Sequence, residues 1–304
     1  MVLLEKTIDL EVPDGFSFWT TVGFSGWREL APYQYVKGSK SLVRIHGLSD
    51  GKVVRITAEQ GAEDAITLSL ESVEELDGND LEEIRNSMRT SLSMDFDLTS
   101  FYDLIEGYPE FSWVAEIGLG RGLRSPTVFE DVVKTICTTN ASWGLTKGIC
   151  RRLCEKLGAQ LEEGISTFPT PGALASATEE FLRREVKSGY RSRYLMELGV
   201  KIESGELDPE AWWGSDADIS SLKTEILAMK GVGEYAANNI LQLLGRYDFL
   251  ALDSWMRKRF SEIYGDGEPV TDDEIEEHYA QFGRWKGLVM NMEMTKEIRL
   301  SVSP

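Results

Sequence analysis

Short apolar runs near the start of the chain predict β-strands. Residues 41–47 are mostly apolar, residues 52–58 are rich in β-branched side chains, and residues 64–71 alternate apolar and polar positions. Asp50-Gly51, between the first two runs, is typical of a hairpin turn. These patterns predict an antiparallel sheet in this part of the chain.

Further along, the apolar positions recur at spacings of three and four, which indicates amphipathic helices. We predict a helix from about Asp80 to Ser93 next to the sheet. From about residue 99 onward, the predicted helices are 129–137, 145–157, 174–186, 191–202, a segment capped by Asp218 or Ser220 and running to about 229, 234–244, and a helix that begins after Asp253. The sequence therefore predicts an α+β fold, with an antiparallel sheet domain over residues 1–98 and a mostly helical region in two subdomains over residues 99–304.

Composition narrows the class of protein. The chain is 42% hydrophobic and 27% charged, as in ordinary globular proteins, and no apolar run has the length needed to cross a bilayer. The N-terminus lacks the apolar core of a signal peptide. We therefore expect an intracellular protein of the cytoplasm and nucleoid, or of the nucleus if the source is eukaryotic, without a membrane partner.

The few cysteines and histidines argue against several kinds of site. Three cysteines and two histidines are too few, and too scattered, for a disulfide framework, a Cys/His zinc site or a cysteine-held iron–sulfur cluster. Cys150 and Cys154 lie four residues apart in a predicted helix, where they share one face. We expect buried free thiols there.

The net charge of −19 at pH 7 argues against a nucleic-acid partner, because a basic face is the usual footprint of DNA binding. The charge is unevenly distributed, however. Residues 1–110 hold 21 acidic and nine basic residues, whereas residues 181–201 hold six basic and two acidic ones. A local basic field can serve a short contact. The alternative is that these basic residues lie on solvated helix faces, and charge alone leaves both interpretations open.

Residues 222–244 predict a helical hairpin around Gly231, Val232 and Gly233. Glycine permits a tight turn and lets a ligand approach the backbone. The unpaired N–H groups at the start of the second helix can hold a phosphate without a basic side chain. Val232 can pack under the turn. Taken alone, this pattern also fits an ordinary corner between two helices.

Asp253 follows the apolar run Phe249-Leu-Ala-Leu and precedes the predicted helix Ser254-Trp-Met-Arg-Lys-Arg-Phe. Such a position fits a routine N-cap, in which the carboxylate accepts backbone N–H groups of the first helical turn.

Together, the two features resemble the helix-hairpin-helix (HhH-GPD) superfamily of DNA glycosylases. The matching runs are Ile226-Leu-Ala-Met-Lys-Gly-Val-Gly-Glu-Tyr-Ala-Ala and Ala251-Leu-Asp-Ser-Trp-Met-Arg-Lys-Arg-Phe. Residues 118–142, Phe168-Pro-Thr-Pro, Gly189-Tyr-Arg-Ser-Arg-Tyr and residues 279–289 resemble further landmarks of the family. The proline that usually precedes the aspartate is absent. The N-terminal sheet fits the TATA-binding-protein-like domain of the 3-methyladenine and 8-oxoguanine branches.

The resemblance implies roles for several residues in damaged DNA. Asp253 is implied as the catalytic carboxylate that stabilises positive charge on the sugar. Asn140 matches the position that fills the gap left by a flipped base, although it also fits a helix or turn cap. Gly231, Val232 and Gly233 would hold a phosphate, and Arg191, Arg193 and Lys258 are candidate phosphate contacts.

The resemblance also implies what lines the base pocket. Bifunctional relatives carry a lysine two residues after the Gly-Val-Gly, where this chain has Tyr235. A lysine amine forms a Schiff base with the sugar, so its absence implies a monofunctional enzyme without AP-lyase activity. Tyr235 can stack on an electron-poor base, and Asn239, one helical turn later, can hydrogen-bond it. Ordinary helix packing for Tyr235 and a solvated surface amide for Asn239 remain the alternatives.

We expect no required cofactor. The resemblance implies a structural monovalent or divalent cation held by the main-chain carbonyls of Leu227, Met229 and Val232. The expected partner of a monomeric protein is double-stranded DNA with a damaged base, in which an alkylated purine comes first and an oxidised or deaminated purine second. The alternatives are a non-catalytic helix-hairpin-helix module, which does not need Asp253, and a protein–protein adaptor, which suits the acidic first 110 residues.

Overall fold

The computed structural model of the chain describes residues 2–61 and 65–300. Seven strands form within them, five in a sheet and two in a small hairpin. In chain order they are β1 (Leu4–Glu11), β2 (Tyr33–Val36), β3 (Ser41–Gly47), β4 (Val53–Gln60), β5 (Ala65–Ser72), β6 (Gln160–Glu162) and β7 (Ile165–Ser166).

The α-helices in the same ranges are mostly short, and several begin at a side chain that caps them, such as Thr127, Ser142, Thr178 and Asp218. In chain order they are α1 (Phe18–Phe24), α2 (Gly78–Ser91), α3 (Thr99–Glu106), α4 (Ser112–Glu116), α5 (Val128–Thr138), α6 (Trp143–Leu157), α7 (Pro171–Ser176), α8 (Glu179–Arg184), α9 (Arg191–Glu203), α10 (Ile219–Leu227), α11 (Glu234–Leu243), α12 (Ser254–Tyr264), α13 (Asp272–Tyr279) and α14 (Lys286–Leu300). Short 3-10 helices lie at Gly26–Glu29, Pro109–Phe111, Pro209–Trp212 and Ala280–Trp285.

The chain forms two compact units, and each draws on separate stretches of sequence. The first unit comprises residues 1–95 and 121–210, and the second comprises residues 96–120 and 211–304. This division differs from the expected boundary at residue 98, because helices α5 to α9 pack with the sheet unit. Periodicity marks where helices begin and end, whereas long-range packing decides which helices belong together.

The first unit is built on the antiparallel sheet, whose strand order is β1-β5-β4-β3-β2. One face is buried, as its alternating apolar positions predict: Val54, Ile56 and Ala58 on β4 lie beside Ile66 and Leu68 on β5. The predicted sheet is thus confirmed. Residue 64, placed in the third predicted strand, lies outside the described residues, and β5 begins at Ala65.

The sheet unit also contains charged side chains that are buried together. Arg44 on β3 donates two hydrogen bonds to Glu130 on α5, at 3.0 and 2.6 Å, and Nζ of Lys134 lies 2.7 Å from the same carboxylate. Burial by itself raises the pKa of Glu130, but these two cations outweigh it and lower the pKa to about 2. The group therefore fastens α5 to the sheet with charge inside the fold.

The structure differs from the prediction at two places in the sheet unit. Residues 174–186 form two short helices, α7 and α8, because Ala177 is extended and the Thr178 side chain accepts the N–H of Phe181 to start a new helix. Helix α1 also lies between β1 and β2, in a stretch for which the sequence predicted the sheet domain but no helix. Predicted helices over α2, α5, α6, α9, α10 and α11 are confirmed within a few residues at each end.

Within its described residues, the second unit contains helices joined by turns and loops, and no strand. Its core includes aromatic side chains packed in sequence: Phe101 contacts Trp285, whose ring lies 5.7 Å from that of Tyr247. Gly283 interrupts the 3-10 helix before α14 with a positive φ of 52°, which turns the chain into α14. In the described residues of both units, every helix is too short or too polar to cross a membrane.

Candidate functional site

The helical hairpin lies in the second unit and joins α10 to α11. Asp218 caps α10 by accepting the N–H groups of Ser220 and Ser221, at 3.1 Å each. Gly231 has a φ of +86°, a backbone conformation that favours glycine. Val232 is buried beneath the turn, as predicted. The local sequence therefore sets both the tight corner and its apolar anchor.

The N-terminus of α11 carries donors suited to an anion. Gly233 is the N-cap, with extended backbone and no side chain to accept the first N–H groups. A Cβ placed at Gly233 would have no other atom within 4 Å, so the backbone here is open to an approaching group. The first intrahelical bond after the turn runs from Ala237 N–H to Gly233 O. These donors, with the helix dipole, can hold a phosphate oxygen.

Asp253 caps helix α12 in the same unit. Its Oδ1 accepts the N–H of Met256 at 2.7 Å, so the capping interpretation is confirmed as geometry. A cap uses one carboxylate oxygen, and the side chain is partly exposed. The cap therefore fixes the orientation of a carboxylate that can act on a ligand, and the two interpretations are compatible.

Tyr235 and Asn239 lie one turn apart on α11. The pKa of Tyr235 is raised to about 12, chiefly because burial disfavours the phenolate; the negative charge of Asp253 acts in the same direction, and a side-chain hydrogen bond with Asn239 opposes both. The second unit therefore brings Tyr235, Asn239 and Asp253 into one electrostatic neighbourhood. Asn239 is half-buried and interacts with the tyrosine, unlike a fully solvated surface amide.

Asn140 lies in the first unit, directly after α5. It is exposed and adopts a left-handed conformation with φ of +47°, which asparagine tolerates better than most residues. The preceding Thr139 is held from α9: its carbonyl accepts the Tyr190 hydroxyl at 3.1 Å and also the Arg191 guanidinium. The side chain of Asn140 therefore projects from a turn whose backbone is fixed.

The three predicted basic contacts differ in their surroundings. Arg191 is 3% exposed, which does not suit a direct phosphate contact, because its guanidinium is turned inward to Thr139 O. We assign it to positioning the Asn140 turn. Arg193 is exposed and pairs with Glu197 at 2.7 Å, and Lys258 is exposed and lies 3.7 Å from Glu262. Both can reach solvent, and both also fit the solvated helix faces considered above.

The carbonyls proposed for a cation lie at the C-terminal end of α10 and in the turn after it. Leu227 is the last residue of α10, and Met229 O accepts the N–H of Val232 at 3.3 Å. Carbonyl oxygens at a helix C-terminus carry partial negative charge and suit a hard cation. Within residues 2–61 and 65–300, no group of three or more His, Cys, Asp or Glu residues could hold a metal ion.

Tyr190 is a further candidate site residue, which the sequence pattern did not indicate. Its ring is 48% exposed next to the Asn140 turn, and it lies 4.5 Å from the Arg191 guanidinium. An exposed aromatic beside a glycine corner, Gly189 with φ of +63°, is a signal that could have identified it. Its position depends on α9 packing near the end of α5, which periodicity does not reveal.

The family described as HhH-GPD superfamily base excision DNA repair protein matches residues 133–284 of the chain, half of its 304 residues. The matched range includes Asn140, the hairpin and Asp253. A curated relative, the N-glycosylase/DNA lyase of Saccharomyces cerevisiae, is 24% identical over 122 residues, covering 36% of this chain and 32% of that protein. The chain thus matches about a third of the length of that relative.

Solved structures show the same fold over nearly the full chain. The 3-methyladenine DNA glycosylase from Archaeoglobus fulgidus has a TM-score of 0.71 at 22% identity, covering 96% of this chain and 98% of its own. The 8-oxoguanine glycosylase/lyase of Clostridium acetobutylicum in its apo form has a TM-score of 0.68 at 19% identity, covering 100% and 99%. MBOgg1 in complex with a low-affinity DNA ligand has a TM-score of 0.74 at 18% identity, covering 99% and 100%. The expected α+β architecture, an N-terminal antiparallel sheet followed by helices, is thereby confirmed.

Proposed function

From the premise that this chain belongs to the HhH-GPD superfamily of base excision DNA repair proteins, we propose that it is a DNA glycosylase. Its substrate would be double-stranded DNA in which a damaged purine is flipped out of the helix. The observation that carries the proposal is the joint placement of Asp253, Tyr235 and the open N-terminus of α11 in one compact unit. A carboxylate, an aromatic ring and phosphate donors are the groups that base excision requires.

Asp253 is the proposed catalytic residue. When the N-glycosidic bond breaks, positive charge develops on the sugar, and a fixed carboxylate stabilises it. The hydrogen bond from Met256 N–H to Oδ1 holds the carboxylate in one orientation, so little reorganisation is needed during the reaction. Water then attacks the sugar, and the products are a free base and an abasic site in an intact strand.

The proposed enzyme is monofunctional. A Schiff base requires a primary amine, and the residue two positions after Gly233 is Tyr235. With a pKa of about 12, its phenol stays protonated at neutral pH and offers a neutral ring and hydroxyl. The hydroxyl and the Asn239 amide can hydrogen-bond a base, while the ring face suits an electron-poor one.

The proposed lesion follows from that ring. An alkylated purine carries positive charge, which an aromatic face stabilises by a cation–π contact. We therefore place alkylated purines first and oxidised or deaminated purines second.

Asn140 is proposed to fill the space left by the flipped base. The carbonyls of Leu227, Met229 and Val232 would hold a structural cation at the hairpin, and this cation would supply positive charge to the phosphate-binding end of the turn.

A lesion panel tests the function. Oligonucleotide duplexes, each with one alkylated, oxidised or deaminated purine, are incubated with wild type and with Asp253→Asn, and abasic sites are revealed by hot alkali. We expect abasic product from at least one lesion with wild type and a large loss with the variant. Absence of abasic product from every duplex would refute the glycosylase, and would favour the non-catalytic DNA-binding or adaptor alternatives.

The same reactions analysed without alkali or heat test the missing lyase activity. We expect intact strands from wild type. Strand breaks in the untreated wild-type reaction would contradict the monofunctional assignment while leaving the glycosylase in place. Tyr235→Lys is the matched variant, since it places an amine at the position in question; trapping of a covalent complex with borohydride would report a Schiff base.

A further inference from the structure

The segment that leads to Asp253, residues 249–252, is tied down by side chains. We call it the lead-in segment. Phe249 O accepts Nε2 of Gln242 at 3.1 Å, Leu250 O accepts Nδ2 of Asn238 at 2.8 Å, and Leu252 O accepts Nη1 of Arg257 at 3.1 Å. Buried carbonyls need such partners when no strand or helix supplies them. Here they come from side chains, so the side chains set the path of the backbone.

Two of these donors lie on the helix that begins at the hairpin. Asn238 and Gln242 are four residues apart on α11 and therefore project from the same face of it. The same helix carries Tyr235 and offers its N-terminus as the proposed phosphate site. A rigid helix thus relates the phosphate donors, the pocket tyrosine and the carbonyls that precede Asp253.

The other hairpin helix holds the segment as well. The ammonium group of Lys223, on α10, lies 4.0 Å from the centre of the Phe249 ring and 2.7 Å from Oε2 of Glu234 in the first turn of α11. The Lys223 ammonium group thus makes both an ion pair and a cation–π contact. Both helices of the hairpin are therefore fastened to the lead-in segment.

Helix α14 closes the remaining side. A Cβ placed at Gly287 would lie 2.6 Å from Phe249 O and 2.7 Å from Nε2 of Gln242, so backbone packs directly on this contact. The N–H of Gly287 also donates to Tyr247 O at 2.9 Å. The lead-in segment has no space to move toward α14.

Asn238 is an unusual choice for a purely space-filling position. It is 7% exposed, and its Oδ1 is buried without a hydrogen-bond partner. An unpaired buried acceptor destabilises the fold, which an apolar side chain of similar size would avoid. The amide is explained by what its other end does, namely donate to Leu250 O.

We propose that Asn238 and Gln242 are positioning residues, which set the location of the Asp253 carboxylate relative to the hairpin that grips DNA. This inference rests on the proposed glycosylase function for its consequence in the reaction. Independently of the reaction, loss of either donor should release the lead-in segment and loosen the cap that Asp253 forms on α12.

The variants are Asn238→Asp and Gln242→Glu, which keep the side-chain shape and replace the donor by a carboxylate oxygen. We expect single-turnover excision to slow about 10-fold to 100-fold, since small misplacements of a reacting group have effects of that order. Binding of a duplex with a non-cleavable abasic analogue should stay within about twofold, because the phosphate donors are unchanged. Asn86→Asp, an exposed asparagine on α2, is the control for added charge.

The pH dependence distinguishes positioning from general damage. When the carboxyl introduced at residue 238 is protonated, it can again donate to Leu250 O. The deficit of Asn238→Asp relative to Asn86→Asp should therefore shrink as the pH falls from about 8 toward about 5. Gln242 is half-buried, so Gln242→Glu provides the test if Asn238→Asp fails to fold.

Amide exchange of the Met256 N–H, which Asp253 caps, gives a readout that does not need activity. We expect exchange to be about tenfold faster in both variants and unchanged in Asn86→Asp. Suppose that wild type excises a lesion. If the variants then show an unaltered excision rate and unaltered Met256 exchange, the positioning role is overturned and the glycosylase function stands. If wild type excises no lesion, the proposed function fails. Met256 exchange by itself then decides whether Asn238 and Gln242 hold the Asp253 carboxylate in place.

Discussion

Oδ1 of Asp253 accepts the backbone N–H of Met256 at 2.7 Å, so the proposed catalytic carboxylate is also the cap of a helix. The two roles predict different variants. Asp253→Asn keeps a capping oxygen but loses the charge, and asparagine caps as well as aspartate. Excision should fall about 10²-fold to 10³-fold, with little change in the free energy of unfolding.

Asp253→Ala removes the cap and the charge together. We expect the same loss of excision and an additional loss of about 1 kcal/mol in the free energy of unfolding. Single-turnover kinetics and urea unfolding of the two variants separate the roles. Equal stability of both variants would mean that the cap adds nothing, and full activity of Asp253→Asn would remove the carboxylate from the reaction.

The two hairpin glycines should respond differently to alanine. Gly231, with φ of +86°, should lose about 1 kcal/mol of stability or more, because alanine is strained there. Gly233 is extended and open, so Gly233→Ala should fold within about 0.5 kcal/mol of wild type. If a phosphate approaches the backbone at this point, the added methyl weakens DNA binding nonetheless. Unchanged affinity of Gly233→Ala, measured by fluorescence anisotropy, would argue against the phosphate site.

The salt dependence of DNA binding should be shallow. The proposed phosphate donors are mostly backbone N–H groups, and of the three candidate cations Arg193 and Lys258 are exposed. Each phosphate neutralised adds about 0.9 to the slope of log affinity against log salt, so the slope should be roughly 2 in magnitude. Arg193→Ala and Lys258→Ala should each lower it by about 0.9. Arg85→Ala on α2 is the control, and a much steeper wild-type slope would reveal basic contacts beyond these two.

The Arg44–Glu130–Lys134 group should be sensitive to loss of its anion. Glu130→Gln leaves two cations buried without a charged partner, and breaking such a pair costs about 3–5 kcal/mol. Asp95→Asn, which breaks the exposed pair with Arg89, should cost no more than about 1 kcal/mol. Denaturant unfolding of the two variants makes the comparison. Similar small losses in both would show that the interior group does not hold α5 on the sheet.

His46 should make the protein acid-sensitive. Burial lowers its pKa to about 3, and the neighbouring Arg44 adds to the effect. Because the folded pKa lies below the ordinary 6.5, the stabilisation is complete above pH 6.5 and is lost as the pH falls toward the folded pKa. Between pH 6.5 and 4.5 the slope should approach about 1.4 kcal/mol per pH unit. His46→Gln should flatten this range in urea unfolding; an unchanged slope would place the acid sensitivity elsewhere.

The periodic spacing of apolar residues predicted many of the strands and helices. The alternating positions of β4 and β5 and the spacing of three and four in α5 and α11 follow from which side chains must leave water. The break between α7 and α8 was not predicted. It depends on one hydrogen bond, in which the Thr178 hydroxyl accepts the N–H of Phe181, and the spacing of apolar residues does not reveal such a bond. Arg191 was a candidate phosphate contact, yet it is buried against the carbonyl of Thr139.

The sequence by itself determined the chemistry available to this protein: the Gly231-Val232-Gly233 turn, the carboxylate at 253 and a tyrosine two residues after Gly233, since residue identity and spacing are local properties. Tertiary structure alone decided which of these meet. It divided the chain into two units that interleave in sequence, buried Arg44 with Glu130, and placed Asn238 and Gln242 against the lead-in segment. Such contacts join residues far apart in sequence or depend on side-chain direction, and only the packed chain fixes them.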